Sequence, residues 1–335
     1  MSTFNTGSTL ITGATGYIGQ KLALHLADEG ESVHLLIRNH THRRLPSHAN
    51  IQLFEGDIED MKAVQNAIRG CTRVYHVAGL VRLTHKDPTL FYRVNVDGTK
   101  NLLQAAKEEG VRKFVYTSTT GVIGPSLGLP MRECDPRTVG YDNDYEISKE
   151  MAEILVKEYG SNGLEGVIVS PSRVYGPGLS TLSSGVNRFI KGFLKKGFAV
   201  VPLCNDVQGN YAYIDDVIKG HILAMHKGRS GEKYILGGEN VSFGDLMRTI
   251  KEQSRSRGRF IKIPKSVIKV AAFGSQVKAL MLNQSPEITP KVVDRLFISC
   301  AFSSEKAIDE LGYSITPFIE GMRVTIGHIK NGSHA

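Results

Sequence analysis

Short apolar runs alternate with amphipathic segments through the first half of the chain. The apolar runs predict β-strands at 10–12, 32–38, 51–55, 73–78, 113–118 and 166–170. The amphipathic segments between them predict helices at 17–29, 61–68, 90–109 and 144–159. Because parallel strands need long crossover connections, this alternation predicts an α/β fold in which helices cover both faces of a doubly wound parallel sheet.

A glycine-rich turn lies between the first predicted strand and the first predicted helix. Residues 12–19 read TGATGYIG, which places Gly13, Gly16 and Gly19 in a GxxGxxG spacing. Glycines there allow a tight turn and close approach of the backbone to a phosphate, and the helix N-terminus presents free N–H groups to an anion. The turn predicts a dinucleotide site and a Rossmann-type fold. A glycine turn without a ligand is the alternative.

The regular alternation ends near Pro171, after which short segments containing Gly, Pro and Ser separate the apolar stretches. The later pattern predicts a strand at 233–236 that returns to the main sheet, and helices at 186–196, 215–226, 243–254 and 266–281. We therefore expect a dinucleotide-binding Rossmann core at 1–170. A smaller C-terminal lobe at 171–330 would mainly bind the substrate, with some segments returning to the core.

No uninterrupted apolar run reaches the ~18 residues that a membrane span needs, so no membrane partner is expected. The longest apolar stretch, 267–282, is interrupted by Lys269 and Lys278. We expect an amphipathic helix here, packed over a pocket or onto the core. The side chains that would form its apolar wall are Phe273, Val277, Leu280, Met281 and Leu282.

Composition is that of an ordinary globular chain, with 335 residues, 41% hydrophobic residues and a net charge of +8. The charge would suit a phosphorylated cofactor or an acidic substrate, or it reflects a generally basic surface. Without a dense Lys/Arg stripe interleaved with aromatics, no nucleic-acid partner is expected. The first residues lack the charged-then-apolar pattern of a secretion signal.

The four cysteines, Cys71, Cys134, Cys204 and Cys300, lie far apart and form no CxxC pair. This spacing favours neither a zinc site nor a disulfide framework, so reduced thiols and a cytoplasmic location are expected. Three histidines crowd one loop but have no carboxylate or cysteine partner nearby in sequence, and we expect them to be solvent-exposed rather than metal ligands. These histidines are His40, His42 and His48.

Tyr145 and Lys149 form a second chemistry-bearing pair. Because they are four residues apart on the predicted helix 144–159, they share one helix face. A tyrosine with a pKa near ~10 is a poor acid at neutral pH, and a nearby ammonium favours its phenolate. Bringing that pKa to about 7 needs roughly 4 kcal/mol, shared between Lys149 and a positively charged nicotinamide ring. A surface Tyr–Lys pair without a catalytic role is the alternative.

The strand that precedes this helix ends in hydroxyl side chains at 117–120, where one hydroxyl could bond a substrate oxygen. With these motifs the chain resembles the extended short-chain dehydrogenase/reductase family, the epimerase/dehydratase-like group, and within it the dihydroflavonol-4-reductase-like ketone reductases. The segments that carry the resemblance are 12–19, 56–58, 76–79, 95–99, 145–149, 171–178 and 213–217.

The resemblance implies that Thr119, Tyr145 and Lys149 are the catalytic residues. Thr119, with Ser118 as its neighbour, would bond the substrate oxygen, and Tyr145 would donate the proton. Lys149 would hold the ribose hydroxyls and lower the pKa of Tyr145. Asn95 matches a position near the active site, and the alternative is an amide that caps a helix or bridges strands.

The resemblance also implies a path for the dinucleotide along the sheet edge. Asp57 and Ile58 would flank the adenine, Ala78 and Gly79 the middle of the cofactor, and 171–174 the nicotinamide carboxamide. The expected cofactor-binding residues, besides Tyr145, Lys149 and the Arg38 discussed next, are Gly13, Thr15, Gly16, Tyr17, Ile18, Asp57, Ile58, Ala78, Gly79, Pro171, Arg173 and Val174.

The end of the second predicted strand bears on the choice of cofactor. An NAD site uses an acidic side chain here for the ribose 2′-OH, whereas a guanidinium suits a 2′-phosphate. The chain has Ile37 at this place, followed by Arg38, with Arg43 and Arg44 in the next loop. NADP(H) is therefore expected as the preferred cofactor, with NAD(H) as the alternative.

The chain departs from the pattern of the sugar-nucleotide members in two places. Thr119 is followed by Thr120 and Gly121, where 4,6-dehydratases carry an acidic pair, and the 209–210 pair is Gly-Asn rather than Arg-Asp. We therefore expect NADPH-dependent reduction of a small ketone or aldehyde. The alternatives are a nucleotide-sugar epimerase with retained NAD and a non-catalytic NADP-sensing protein. The resemblance further implies a homodimer formed through helices 90–109 and 145–159.

Overall fold

The structure, a computed structural model, describes residues 7–40, 45–82, 84–282 and 289–332. In these ranges the chain forms twelve strands, of which seven make the main sheet. In chain order they are β1 (Ser8–Thr12), β2 (Val33–Ile37), β3 (Ile51–Glu55), β4 (Cys71–His76), β5 (Lys113–Thr117), β6 (Glu165–Pro171), β7 (Arg173–Tyr175), β8 (Phe198–Pro202), β9 (Gln208–Tyr213), β10 (Lys233–Leu236), β11 (Glu239–Ser242) and β12 (Arg259–Ile263).

The main sheet has the strand order β3-β2-β1-β4-β5-β6-β10, and all of its strands are parallel. In β1, Ile11 pairs with Leu35 of β2 on one side and with Tyr75 of β4 on the other. The chain therefore reverses its direction of winding at β1, which makes the carboxyl ends of β1 and β4 the switch point where such sheets bind ligands. The expected Rossmann-type fold is confirmed.

The helices described in the same ranges connect these strands. They are α1 (Tyr17–Asp28), α2 (Met61–Ile68), α3 (Thr89–Tyr92), α4 (Gly98–Glu108), α5 (Asp144–Ser161), α6 (Gly185–Lys196), α7 (Ile214–Lys227), α8 (Phe243–Ser254), α9 (Lys265–Met281), α10 (Pro290–Arg295), α11 (Glu305–Leu311) and α12 (Phe318–Asn331). The predicted helix 90–109 is present as α3 and α4, joined by a wider π-helical turn at Arg93–Asp97.

Helices cover both faces of the main sheet, as the alternating pattern predicts. On one face Leu22 of α1 and Val217 of α7 belong to a buried cluster with Leu35 of β2. On the other face α2, α4 and α5 pack through a second buried cluster that includes Val64, Leu102 and Val156. The inner strands between these two layers are largely buried, as in β2, where all five residues, including His34, are buried.

Two smaller sheets follow the main one in the chain and were not predicted from sequence. One has the order β11-β9-β7, and the other pairs β8 with β12. Strand β10 joins the edge of the main sheet beside β6, as expected for 233–236. The strands outside the main sheet lie between 173 and 263, and the division at 170 remains an expectation.

Helix α9 differs from its expected role. Phe273 is 61% exposed and Met281 is 81% exposed, and Val277 and Leu282 are exposed as well, so these side chains do not pack on the core. The side chain of Leu280 lies outside the described part of the structure. Helix α9 instead turns its small residues inward, at Ala272 and Ala279, because it packs on α10. None of the described helices is long and apolar enough to cross a membrane.

Candidate active site

The glycine turn brings the start of α1 against the ends of β1 and β4. Gly13 has φ +78°, and a Cβ there would lie 2.6 Å from the backbone nitrogen of Ala78. A Cβ on Gly19 would overlap the carbonyl oxygen of Gly13. Only glycine allows this turn and this packing distance, as the GxxGxxG spacing predicts.

The residues around this turn fit the pyrophosphate of a dinucleotide. Gly16 precedes the first turn of α1, and no side chain caps that turn. The backbone N–H groups of this first turn therefore have no side-chain acceptor, and an anion at the switch point of the sheet can accept from them. The glycines leave these backbone donors without bulky side chains around them. Thr15 and Ile18 of the same turn are only partly buried, so a cofactor can reach them.

A chain of buried hydrogen bonds aligns the sheet edge behind the turn. The Ala78 N–H donates to Thr12 Oγ1 over 3.2 Å, and Thr12 Oγ1 lies 2.7 Å from His76 Nδ1. On the other side His76 Nε2 lies 2.9 Å from Thr99 Oγ1, whose hydroxyl donates to the Asn95 carbonyl oxygen. Burial, helped by the charge of Lys149, holds the pKa of His76 well below its usual range.

The imidazole of His76 is consequently neutral, with its proton on Nε2, because Nδ1 must accept from Thr12 while Thr99 already donates elsewhere. This histidine fixes the distance between the glycine turn and the helical turn that carries Asn95. The sequence analysis gave His76 no role of its own. Its position at the end of a buried strand was the only available signal.

Asn95 bridges two parts of the site. Its Oδ1 accepts from the Leu80 N–H over 2.8 Å, and its Nδ2 donates to Ser148 Oγ over 2.9 Å. Asn95 Oδ1 also lies 3.2 Å from where a Cβ on Gly79 would be. Asn95 thus joins the segment after β4 to α5, one residue before Lys149, and does not bridge two strands through these bonds.

Helix α5 presents Tyr145 and Lys149 to the carboxyl end of β5. The helix begins after Asn143, whose Oδ1 caps it by accepting from the Glu146 N–H over 3.0 Å. The Lys149 ammonium donates to the Thr117 carbonyl oxygen over 2.7 Å and lies 4.1 Å from the centre of the Tyr116 ring. The structure therefore brings the predicted pair to the sheet edge.

Thr119 is the hydrogen-bonding side chain that acts on Tyr145, whose pKa it lowers. Ser118, the neighbouring hydroxyl, instead donates to Glu153 Oε1 over 2.5 Å. Glu153 is buried and also pairs with Lys233 of β10. Because Ser118 is held by this buried carboxylate, Thr119 is the hydroxyl that is placed to act with Tyr145.

Burial dominates the proton affinities of the pair. It raises the pKa of Tyr145 to about 12, and the hydrogen bond from Thr119 and the charge of Arg295 oppose the rise. Burial lowers the pKa of Lys149 to about 7, and the charge of Glu153 opposes the fall. The charge of Arg295, more than a hundred residues away in the chain, also lowers the pKa of Tyr145, which spacing could not indicate. The lowering of that pKa by Lys149 with nicotinamide bound stays a prediction.

The remaining expected cofactor residues lie along the same edge. Ile37 is buried, and Arg38 is exposed directly after β2, whereas Arg43 and Arg44 lie outside the described residues. Asp57 accepts from the Glu59 N–H over 3.1 Å, and Ile58 is buried against Gly98. Ala78 and Gly79 follow β4, and the Pro171 carbonyl oxygen accepts from the N–H of Thr120, the residue after Thr119.

The side chains of Tyr17 and Arg173 lead away from this edge. The Tyr17 hydroxyl donates to the Gly176 carbonyl oxygen over 2.6 Å, and it is buried there with the Asn187 amide. The Arg173 guanidinium lies against Gly209 and over the Tyr211 ring. Tyr17 and Arg173, as well as the buried Val174, can therefore offer a cofactor mainly their backbone groups.

The histidines of the loop after β2 have carboxylate partners that the sequence analysis did not foresee. His40 lies 3.4 Å from Glu55, and His48 lies 3.5 Å from Asp28, while His42 is outside the described residues. Glu55 ends β3 and Asp28 ends α1, so both carboxylates come from elements outside the loop and could not be found from sequence neighbours. Within the described ranges no group of three His, Cys, Asp or Glu side chains could hold a metal ion.

Comparison with known proteins gives one family match and several relatives. The NAD dependent epimerase/dehydratase family matches residues 9–237. Sterol demethylase protein B of Methylococcus capsulatus is 30% identical, over 73% of this chain and 74% of that protein. A 3 beta-hydroxysteroid dehydrogenase/Delta 5-->4-isomerase of Mycobacterium tuberculosis is 28% identical, over 92% and 86%. A dihydroflavonol 4-reductase-like protein of Synechocystis is 28% identical, over 90% and 88%.

Solved structures share the whole architecture. The crystal structure of gox2253 has a TM-score of 0.79 and 32% identity, covering 98% of this chain and 99% of that one. The UDP-glucose 4-epimerase of Thermus thermophilus, in complex with NAD, has a TM-score of 0.77 and 24% identity, covering 96% and 99%. At 24% identity, the comparison with the epimerase shows a shared fold alone.

Proposed function

Because the chain belongs to the NAD-dependent epimerase/dehydratase family, within the extended short-chain dehydrogenases/reductases, we propose that it reduces a ketone or aldehyde with NADPH. The observation that carries the proposal is the meeting of α5 with the end of β5, where Lys149 donates to the Thr117 carbonyl oxygen over 2.7 Å and Thr119 acts on Tyr145. Two hydroxyls so placed can hold one carbonyl oxygen.

Each residue has a defined task in this reaction. Bound nicotinamide supplies a hydride to the carbonyl carbon. The hydroxyls of Thr119 and Tyr145 donate hydrogen bonds to the carbonyl oxygen, and Tyr145 gives up its proton to that oxygen. The Lys149 ammonium favours the phenolate that remains and can hold the ribose hydroxyls of the cofactor. The neutral His76 keeps the supporting edge in place without adding charge.

Reduction is favoured over dehydration and epimerisation by the groups next to Thr119 and on β9. Thr120 and Gly121 provide neither acid nor base for water elimination. The Asn210 amide is buried and bonded to the backbone of Gly238 on both its nitrogen and its oxygen, so it does not form a clamp for a diphosphate. Two of the relatives above are named as a dehydrogenase and a reductase-like protein.

Preference for NADP(H) over NAD(H) is part of the proposal. Its support is the exposed Arg38 after β2, where Ile37 occupies the place of an acidic side chain. A guanidinium can donate two parallel hydrogen bonds to a 2′-phosphate, and an acidic side chain would repel it.

The remaining proposals concern assembly and location. A homodimer through α4 and α5 is supported by two apolar side chains on the outer face of α5, since Met151 is 41% exposed and Ile154 is 50% exposed. A cytoplasmic location is supported by the four cysteines, which are all free thiols: Cys71, Cys134, Cys204 and Cys300.

A ligand screen tests the proposed reaction. NADPH and NADH are first compared by thermal shift, and a panel of apolar ketones and aldehydes is then followed by oxidation of the preferred cofactor. Turnover of NADPH with a carbonyl supports the proposal. Release of tightly held NAD on denaturation, without net oxidation, would favour the epimerase. Cofactor binding with no turnover across the panel would favour the sensor.

A further inference from the structure

Glu146 follows Tyr145 directly, and its side chain is buried between two arginines. Glu146 is 1% exposed. Arg137 Nη2 donates to its Oε2 over 2.9 Å, and the Arg295 guanidinium pairs with its Oε1. A buried carboxylate needs such partners, and Arg295 also lies 3.6 Å from Asp142, so two arginines and two carboxylates meet at the start of α5.

Arg137 ties this cluster to the turn that carries Thr119. Its Nη1 donates to the carbonyl oxygens of Gly121, over 2.6 Å, and Val122, over 3.2 Å. The Gly121 N–H in turn donates to Thr119 Oγ1 over 3.1 Å. One guanidinium thus connects Glu146 on α5 with the second catalytic hydroxyl.

Arg295 reaches the cluster from the C-terminal part of the chain. It is the last residue of α10 and lies 149 residues after Glu146. The preceding residue, Asp294, pairs with Lys265 and Lys269 of α9, which holds α10 in place. The charge of Arg295 also lowers the pKa of Tyr145, so an ion pair and a charge effect both link α10 to α5.

We propose that Arg295 is a positioning residue for Tyr145 and that Glu146 is the carboxylate through which it is held. The inference rests on the proposed function, in which Tyr145 donates the proton. Arg295 brings a positive charge to the phenol, Glu146 balances and anchors that charge, and Arg137 keeps the Thr119 turn in the same frame. Helix α10 thereby contributes to catalysis without touching the reacting atoms.

The test measures the pKa of Tyr145 in the protein with NADP bound. Tyrosinate absorbance is titrated for each variant and for the same variant carrying Tyr145→Phe, and the difference between the two curves belongs to Tyr145. Thr119 and Tyr116, which act on or feel the charge of Tyr145, stay unchanged in the comparison, as do Arg137 and Asp142, the other charged partners of Glu146 and Arg295. Arg295→Gln should raise this pKa by about one unit, because it removes a cation. Glu146→Gln should lower it by about one unit, because it removes one of the two carboxylates that balance Arg137 and Arg295.

Opposite signs separate this role from a mechanical one. A staple between α5 and α10 would leave the pKa of Tyr145 unmoved, or move it in the same direction in both variants, and either result overturns the proposal. Arg295→Lys keeps the charge and should stay near the parent value. If Glu146→Gln does not fold, the contrast between Arg295→Gln and Arg295→Lys still decides the question.

The measurement needs no carbonyl substrate, so its outcome is separate from that of the proposed reaction. Should no carbonyl be reduced, the titration still reports whether Arg295 acts on Tyr145. Once a substrate is known, Arg295→Gln should lower kcat with little change in KM for NADPH, because Arg295 contacts the catalytic helix and not the glycine turn.

Discussion

The Lys149 ammonium is bonded to the carbonyl oxygen of Thr117 over 2.7 Å, which joins the catalytic helix α5 to the last residue of β5. Glu153 lies one turn further along α5 and is buried beside the same strand end. The ammonium is therefore removed from water and kept charged chiefly by one carboxylate. The pKa of Lys149 should therefore change when the Glu153 carboxylate is removed.

We expect Glu153→Gln to shift the pH dependence of cofactor binding. Burial already lowers the pKa of Lys149 to about 7, and Glu153 opposes that fall. Without the carboxylate the pKa of Lys149 falls further, so Lys149 loses its proton at a lower pH. The midpoint of the fall in NADPH affinity should move down by about one unit, as measured by fluorescence titration at a series of pH values.

The matched control is Glu158→Gln, which removes an exposed carboxylate from the same helix. It should leave the midpoint where it is. An equal shift in both variants would mean that the net charge of α5, rather than the buried Glu153, sets the proton affinity of Lys149.

Tyr145→Phe should abolish nearly all turnover while the affinity for NADPH stays within a few-fold. The variant removes the only proton proposed for the substrate oxygen, and general acid catalysis of this kind contributes about 10²–10⁴-fold. Tyr159→Phe, on the same helix, serves as the control. Steady-state kinetics with the substrate found in the screen decide, and retained turnover would exclude Tyr145 as the donor.

Most of the main sheet could be predicted from the sequence because its strands are short, apolar and separated by clear helices. Strands β2 and β3 match the predicted runs 32–38 and 51–55 within a residue or two. Strands β8 and β12 were missed, since they are half exposed and carry no strong alternation. Helix α9 was found, but its exposed apolar face was not, because periodicity shows a face and not what covers it.

The site could be predicted where one motif carries it, and not where distant segments meet. Tyr145 and Lys149 share a helix turn, so their spacing was sufficient. Glu153 and Lys233 come from α5 and β10, and their contact depends on a strand that joins the sheet edge late in the chain. Arg295 depends on the packing of α10, which has only six residues and left no clear pattern.

Arg38→Glu should reverse the cofactor preference. The variant replaces a guanidinium that suits a 2′-phosphate by a carboxylate that suits a ribose 2′-OH. We expect NADPH to bind at least ten-fold more weakly and NADH to bind equally well or better, as measured by calorimetry. Arg112→Glu makes the same charge change at the opposite, amino end of β5. Equal losses in both variants would point to net charge and not to a local contact.

Gly13→Ala should destabilise the protein more than Gly30→Ala. Both glycines have positive φ, at +78° and +86°, so both variants lose about 1–2 kcal/mol of free energy of unfolding to backbone strain. Only Gly13 meets a neighbour, since its Cβ would lie 2.6 Å from the Ala78 nitrogen, whereas nothing lies within 4 Å at Gly30. Urea unfolding should show a further loss of about 1–3 kcal/mol for Gly13→Ala, and a loss equal to that of Gly30→Ala would contradict the close packing.

Ile154→Lys should convert the proposed homodimer into monomers. Ile154 is 50% exposed on α5, next to Met151, and a buried lysine at a helix interface would lose its hydration without a partner. Light scattering after size exclusion measures the mass directly. Ile319→Lys, on α12, changes an isoleucine that is 61% exposed, and it should leave the dimer intact. A monomeric parent protein would refute the proposed assembly. A dimer that survives Ile154→Lys would place the interface on another face. Because α5 carries Tyr145 and Lys149, loss of a dimer formed through α5 should also weaken cofactor binding, whereas loss of a dimer formed elsewhere should not.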